Sequence, residues 1–112
     1  MSFQIIGSAK CKDTKKCRLW FEQRGIPFHF VDLGKRALSS GELLSIAQKT
    51  SWEQMMDRNS MAWKKRQLEW KTFSAEEELN EEPLLLKTPV VRGSNRVVIG
   101  YKPDEWEAFS RI

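Results

Sequence analysis

The chain opens on a compact apolar block, Phe3 with Ile5-Ile6, closed by Gly7-Ser8, which predicts a short buried strand over Phe3–Ile6. The rhythm then changes. Between Asp13 and Arg24 the apolar residues Cys17, Trp20 and Phe21 fall at i, i+3 and i+4 among charges, the pattern of an amphipathic helix. Asp13 is the expected N-cap, with the boundary free to move a residue or two earlier, and Arg24-Gly25 supplies the stop. After Pro27, alternation of Phe28, Phe30 and Asp32 with His29, Val31 and Leu33 predicts a second strand. A strand–helix–strand unit of this length places its two strands parallel in one sheet.

Gly34–Ser40 reads as a polar connection. Ser39 or Ser40 is placed to cap a helix with Leu43, Leu44, Ile46 and Ala47 on its apolar face, and Ser51 precedes a helical pattern running from Trp52 through Met56. Asn59-Ser60 marks a break, after which Trp63, Gln67 and Trp70 share one helical face. Ser74, three residues before Glu77, predicts a capping box opening a short acidic helix.

The pattern returns to strands at Pro83-Leu84-Leu85-Leu86, passes through Thr88-Pro89, and forms two runs, Val90-Val91 and Val97-Val98-Ile99, around a Gly93-Ser94-Asn95 turn. These two runs predict an antiparallel hairpin. Pro103 opens a terminal helix carrying Trp106 and Phe109. The expected order is βαβ, helices, ββα: an α/β protein with a mixed four-stranded sheet.

Composition sets the limits. A chain of 112 residues with 40% hydrophobic and 30% charged residues fits one compact domain and excludes a disordered chain. Two cysteines, Cys11 and Cys17, are too few for a disulfide scaffold, which points to a reduced compartment. No apolar run is long enough to span a bilayer, and MSFQIIGSAKCK has neither the basic region nor the apolar core of a signal peptide. The expected location is therefore cytoplasmic. Two cysteines and the lone His29, without metal-ligand spacing, give no metal site. The net charge of +4 is uneven: Lys10, Lys12, Lys15, Lys16, Arg18, Arg24, Lys35 and Arg36 crowd the first 40 residues, while Glu76–Glu82 carries five glutamates and no base. A basic zone attracts anionic ligands, acidic surfaces or nucleic acid, and it also suits an ordinary solvated helix face.

What gives that zone a chemical meaning is Cys11. It follows a strand and precedes a helix, where unpaired backbone N–H groups and the positive end of the helix dipole favour thiolate over thiol. Thr14 can present its hydroxyl to the sulfur, and Lys15 at i+4 adds positive charge on the same face. These features favour a reactive Cys11, against the alternative of an inert small hydrophobe. Cys17 lies on the apolar stripe with Trp20 and Phe21 and reads as a structural thiol. Six helical residues separate two Cα atoms by about 9 Å, beyond the roughly 4.4–6.8 Å of a disulfide, so a Cys11–Cys17 bond requires the first turn to unwind.

The combination of strand–Cys11–helix with a later Thr88-Pro89 and hairpin resembles the thioredoxin superfamily. More narrowly the chain is similar, over nearly its full length, to the small arsenate-reductase (ArsC)/Spx-like proteins. The resemblance rests on Cys11-Lys12-Asp13-Thr14-Lys15-Lys16, Gly25-Ile26, Asp32, Leu43-Leu44, Arg58-Asn59, Leu84 through Arg92, Ile99-Gly100-Tyr101 and the Pro103–Phe109 helix. It implies a single thioredoxin-like domain over residues 1–112 with a helical insertion at roughly 38–82. It also implies that Cys11 is the nucleophile, that Arg58 binds an oxyanion, and that Pro89 is the cis-proline of a substrate loop shared with Thr88. Thr14 stands where the reductases have serine and where redox-active Spx has its second cysteine. Thr88 replaces an arginine of the reductases and Lys102 falls near another, so the bidentate guanidinium clamp on a tetrahedral anion is reduced, with Arg92 and Arg96 on the hairpin as candidate replacements.

The resulting expectation is a thiol-dependent reductase using one nucleophilic cysteine. No bound cofactor is expected; glutathione is the expected co-substrate, glutaredoxin a further partner, and arsenate a narrower substrate. The alternative is an Spx-like regulator that binds RNA polymerase without catalysis. No zinc-finger or RNP-like motif supports direct nucleic-acid binding, and no membrane partner is expected.

Overall fold

The computed structural model describes residues 3–93 and 95–110, the side chain of residue 110 excepted. Its elements run β1 (Phe3–Gly7), α1 (Lys12–Gln23), β2 (Phe28–Asp32), α2 (Ser40–Lys49), α3 (Trp52–Met55), α4 (Met61–Lys65), α5 (Ala75–Glu81), β3 (Val90–Gly93), β4 (Arg96–Ile99) and α6 (Pro103–Ser110). The chain divides into two compact units, one formed by Met1–Arg36 with Thr88–Ile112 and the other by Ala37–Lys87.

The first unit holds the sheet, in the order β2-β1-β3-β4. β1 pairs parallel with β2, Ile5 opposite Phe30 and Gly7 opposite Asp32, whereas β3 is antiparallel to both β1 and β4. Alternation of side chains sorts the strands into two faces. Ile5, Val91 and Val98 lie across one face and form a single cluster with Cys17 and Phe21 of α1 and Trp106 and Phe109 of α6. Ile6, Val31, Val90 and Ile99 occupy the other face and are also buried. This mixed sheet with its helices is the thioredoxin-like α/β fold.

Aromatic rings give the first cluster its density. Phe21 meets Phe3 edge-on at 5.7 Å and Phe28 at 5.9 Å, and Trp20 meets Trp106 at 5.7 Å. Each such pair adds about 0.5–1.5 kcal/mol beyond the area it buries. Helix α1 is capped at Arg24 and followed by Gly25, whose φ of +66° is the left-handed conformation expected after a helix C-terminus. The hairpin occurs where predicted; Ser94 of its expected turn lies outside the described residues.

In the second unit, helices of only four, five and seven residues are held by their starts. Ser39 at the start of α2, and Ser51, Ser60 and Ser74 at the starts of these short helices, each accept a hydrogen bond from the backbone N–H three residues on, which satisfies one unpaired donor and stabilises each start by about 1 kcal/mol. The reciprocal capping box forms at Ser39 and Glu42, whereas at the expected Ser74 only the bond from the Glu77 N–H is found among the described residues. Two further expectations are corrected. The helix through Trp63, Gln67 and Trp70 stops at Lys65: Gln67 adopts φ 55°, and Trp70 sits in a 3₁₀ turn with 84% of its surface exposed. The apolar run Pro83–Leu86 is a 3₁₀ turn followed by a single bridge between Leu86 and Met56. The N-cap of α1 is Cys11, two residues before Asp13 and within the earlier start that the sequence allowed.

Candidate functional site

The parallel strand β1 delivers the chain to Ser8-Ala9-Lys10, a tight turn closed by the Cys11 N–H donating to the Ser8 carbonyl at 3.0 Å. Cys11 then takes the N-cap position, with extended backbone, and its carbonyl accepts from Lys15 N–H at 3.1 Å to begin α1. The sulfur thus lies at the helix end where backbone donors are unpaired. From the other end of the sequence, the segment entering β3 brings Thr88 to the same place. Its hydroxyl donates to Cys11 Sγ at 3.2 Å, and the Thr88–Pro89 peptide is cis.

Partial burial alone raises the Cys11 thiol pKa, but the groups around the sulfur outweigh it and the net shift is downward. Those groups are the hydroxyls of Thr14 and Thr88 and the backbone N–H groups of Thr14 and Asp13, the third and second residues of α1. All favour the anion by offering hydrogen to negative charge. The Thr14 hydroxyl is fully buried and has no hydrogen bond of standard geometry among the described residues. It favours the thiolate from close by. Gly7 makes that placement possible: a Cβ there would lie 2.3 Å from Thr14 Oγ1, so only glycine allows the first turn of α1 so near β1.

The remaining residues singled out in the sequence are placed as follows. Lys15 is exposed, and no lysine is among the causes of the Cys11 shift. Arg92 reaches Gln4 Oε1 at 3.3 Å across the sheet. Lys102 lies 3.5 Å from Glu105 on the surface, and Arg96 stands over Phe109. Arg58 belongs to the second unit, where its guanidinium lies 5.5 Å from the Trp63 ring, beside a cleft of about 510 Å³ lined also by Trp52 and Phe73. Cys17 is fully buried and its thiol is pushed up to about 12 by desolvation. Both cysteines are free thiols.

Thus Cys11, Thr14 and Thr88 form one constellation. Sequence reasoning assigned Thr88 to substrate and missed its bond to the sulfur, which no local spacing signals. It also missed Gly7 as more than a strand end. Among the described residues no group of three or more His, Cys, Asp or Glu side chains could hold a metal, and no helix is long and apolar enough to cross a membrane.

The chain resembles known proteins over most of its length. A global transcriptional regulator, Spx 2 of Oceanobacillus iheyensis, is 28% identical over 114 aligned positions, covering 97% of this chain and 84% of its own. The solution structure of an arsenate reductase (ArsC) related protein from Brucella melitensis superposes with a TM-score of 0.74 at 29% identity, over 100% of this chain and 97% of that one. An arsenate reductase from Vibrio cholerae matches in fold, with a TM-score of 0.81 at 22% identity over 94% of each chain. The profile of the ArsC family itself matches residues 3–109, from the first residue of β1 into α6. With its β1–Cys11–α1 junction and Thr88-Pro89 loop both inside that span, the chain belongs to the ArsC family, whose members with Spx-like and arsenate-reductase-related names it resembles, and has the thioredoxin-like fold.

Proposed function

We propose that the protein is a thiol-dependent reductase acting through Cys11 alone, with an external thiol completing the cycle. The observation that carries this reading is the 3.2 Å hydrogen bond from Thr88 to a Cys11 sulfur whose pKa is lowered at the start of α1. In the first step the Cys11 thiolate attacks one sulfur of a disulfide R–S–S–R′, forming Cys11–S–S–R and expelling R′S⁻. In the second, an external thiolate attacks the R sulfur of that mixed disulfide, forming a new disulfide and returning Cys11 as thiolate. Two external thiols are oxidised for each disulfide reduced when the cycle is repeated on the released adduct. We assign the external thiol to glutathione, with glutaredoxin as a further reductant, and place the reaction in a reducing cytoplasm. Cys17 is unsuited to resolve the adduct because it is buried and strongly resists ionisation.

Arsenate is the narrower substrate. Its tetrahedral dianion suits guanidinium forks, and of the three positions matched to the reductases only Arg58 carries one, the other two being Thr88 and Lys102. A glutathione-coupled assay on a glutathionylated peptide, run in parallel with arsenate, tests the proposal. Turnover of the peptide that vanishes in Cys11→Ser and survives in Cys17→Ala is expected; equal rates in Cys11→Ser and the wild-type protein would overturn it.

The regulator reading is favoured by one observation, the similarity to proteins named global transcriptional regulators over 97% of this chain. It predicts retention of RNA polymerase on the immobilised protein, undiminished in Cys11→Ser, with no thiol turnover.

A further inference from the structure

A cleft of about 460 Å³ in the first unit is lined by Arg18, His29, Phe30, Asp32, Lys35 and Arg36, with Ala9 as part of its wall. Its size falls within the range of small-molecule sites, about 300–1,000 Å³. We propose that this cleft binds a small multiply charged anion bearing phosphate or carboxylate groups.

Cations on a protein surface usually serve solubility alone, and three features separate these from that default. First, Arg18 is anchored. Its guanidinium lies 4.0 Å from the centre of the Phe30 ring, and Phe30 is itself packed against the core cluster. A stacked guanidinium keeps its in-plane donors available for a carboxylate or phosphate, which is how arginine recognises such groups. Its Nε is buried and has no acceptor among the described residues, an unmet requirement that a ligand oxygen can satisfy after a small side-chain shift.

Second, the turn after β2 holds Lys35 and Arg36 in place. Both backbone N–H groups donate to the Asp32 carbonyl, at 2.9 and 3.1 Å. The two side chains therefore rise from a closed turn, so less ordering is needed when a ligand binds. Third, the carboxylate of the cleft is engaged with that turn. Asp32 Oδ1 accepts from Gly34 N–H at 2.9 Å, and no ion pair between Asp32 and Arg18 or Lys35 is found among the described residues. Arg18 and Lys35 against Asp32 leave the cleft positive.

The location adds a reason. Asp32 lies opposite Gly7 in the parallel β1–β2 pair, so the turn beyond β2 and the loop beyond β1 leave the sheet at the same end. The carboxyl ends of parallel strands are where open α/β sheets ordinarily bind ligands. Ala9 contributes no side chain beyond Cβ, which keeps that wall open.

Calorimetric titration with tripolyphosphate and with citrate tests the site. The two probes separate phosphate from carboxylate as the preferred group. The wild-type protein is expected to bind at least one of them with one-site stoichiometry. Arg18→Ala and Lys35→Ala should each weaken that binding about tenfold, the effect of losing one charge-assisted contact. Lys64→Ala, a charge change in the second unit, should leave it intact, as should Cys11→Ser, which separates this site from the thiol chemistry. Near-UV circular dichroism checks folding of Arg18→Ala, and Lys35→Ala on the exposed turn carries the test if Arg18→Ala is disturbed. Failure of both probes to bind, or equal weakening by Lys64→Ala, overturns the proposal.

Discussion

The Thr88 hydroxyl donates to Cys11 Sγ at 3.2 Å across 77 positions of sequence, joining the loop before β3 to the N-cap of α1. A donor at that distance stabilises the thiolate more than the thiol. Replacing Thr88 with valine keeps the shape and removes the donor. Cys11 in Thr88→Val is expected to titrate at higher pH, and its alkylation at neutral pH to slow by about 2- to 10-fold, equivalent to one hydrogen bond of ~0.5–1.5 kcal/mol. The measurement is the pH dependence of the alkylation rate beside the wild-type protein. An unchanged profile would remove Thr88 from the account.

Gly7→Ala forces a Cβ to within 2.3 Å of Thr14 Oγ1 and 2.5 Å of Thr14 Cγ2. Overpacking at so close a junction costs about 1–3 kcal/mol. Urea denaturation should show that loss, and the displaced Thr14 should raise the Cys11 pKa in the same variant. Thr14→Ala removes both clashing atoms, so the double variant should recover part of the stability. Simple additivity of the two losses would show that the contact does not govern the site.

These two predictions concern a part of the site that the sequence conveyed only incompletely. The Cys11 position before a helix was legible because Phe3–Ile6, Gly7-Ser8 and the Cys17–Trp20–Phe21 stripe are local patterns. The lysines around Cys11 drew attention to charge, whereas the causes of its lowered pKa are hydroxyls and backbone N–H groups. Thr88 reaches the sulfur only after the sheet has formed, and residue spacing along a chain carries no direct record of such a meeting. In the second unit, Lys64, Lys65 and Arg66 form the basic last turn that favours a helix C-terminus, yet no glycine follows to mark the stop and Gln67 itself turns left-handed. The C-capping Arg66 pairs with Glu78 and Glu81, both at 2.6 Å, an acidic helix that the sequence showed only as an unbalanced charge run. The Pro83–Leu86 run illustrates why a short apolar segment does not distinguish strand from turn.

Cys17 should behave as the opposite of Cys11. Its pKa is pushed from the free value of about 8.5 up to about 12 by burial, so the unfolded chain releases this proton at lower pH than the folded one. The folded state then binds more protons between those values, and stability falls as pH rises through that window. Below about pH 8 the contribution is fully present. Comparison of urea midpoints for wild-type and Cys17→Ala should show their difference shrinking above that pH, while a constant difference would contradict an ionisable, buried Cys17.

Trp106 is fully buried, meets Tyr101 at 5.3 Å and Trp20 at 5.7 Å, and its Nε1 has no acceptor among the described residues. Trp106→Ala should cost about 3–5 kcal/mol of folding free energy. Trp106→Phe should cost clearly less, because it retains a ring and removes an unpaired buried donor. Thermal and urea unfolding of the two variants checks the ranking, and equal losses would mean that a retained ring restores none of the packing at this position.

The central claim is tested most directly by the rate of iodoacetamide alkylation as a function of pH in the wild-type protein, Cys11→Ser and Cys17→Ser. One fast-reacting thiol is predicted, with its midpoint clearly below the free-cysteine value of about 8.5, present in Cys17→Ser and absent in Cys11→Ser. A midpoint at or above about 8.5, or a fast reaction that persists in Cys11→Ser, would contradict the account.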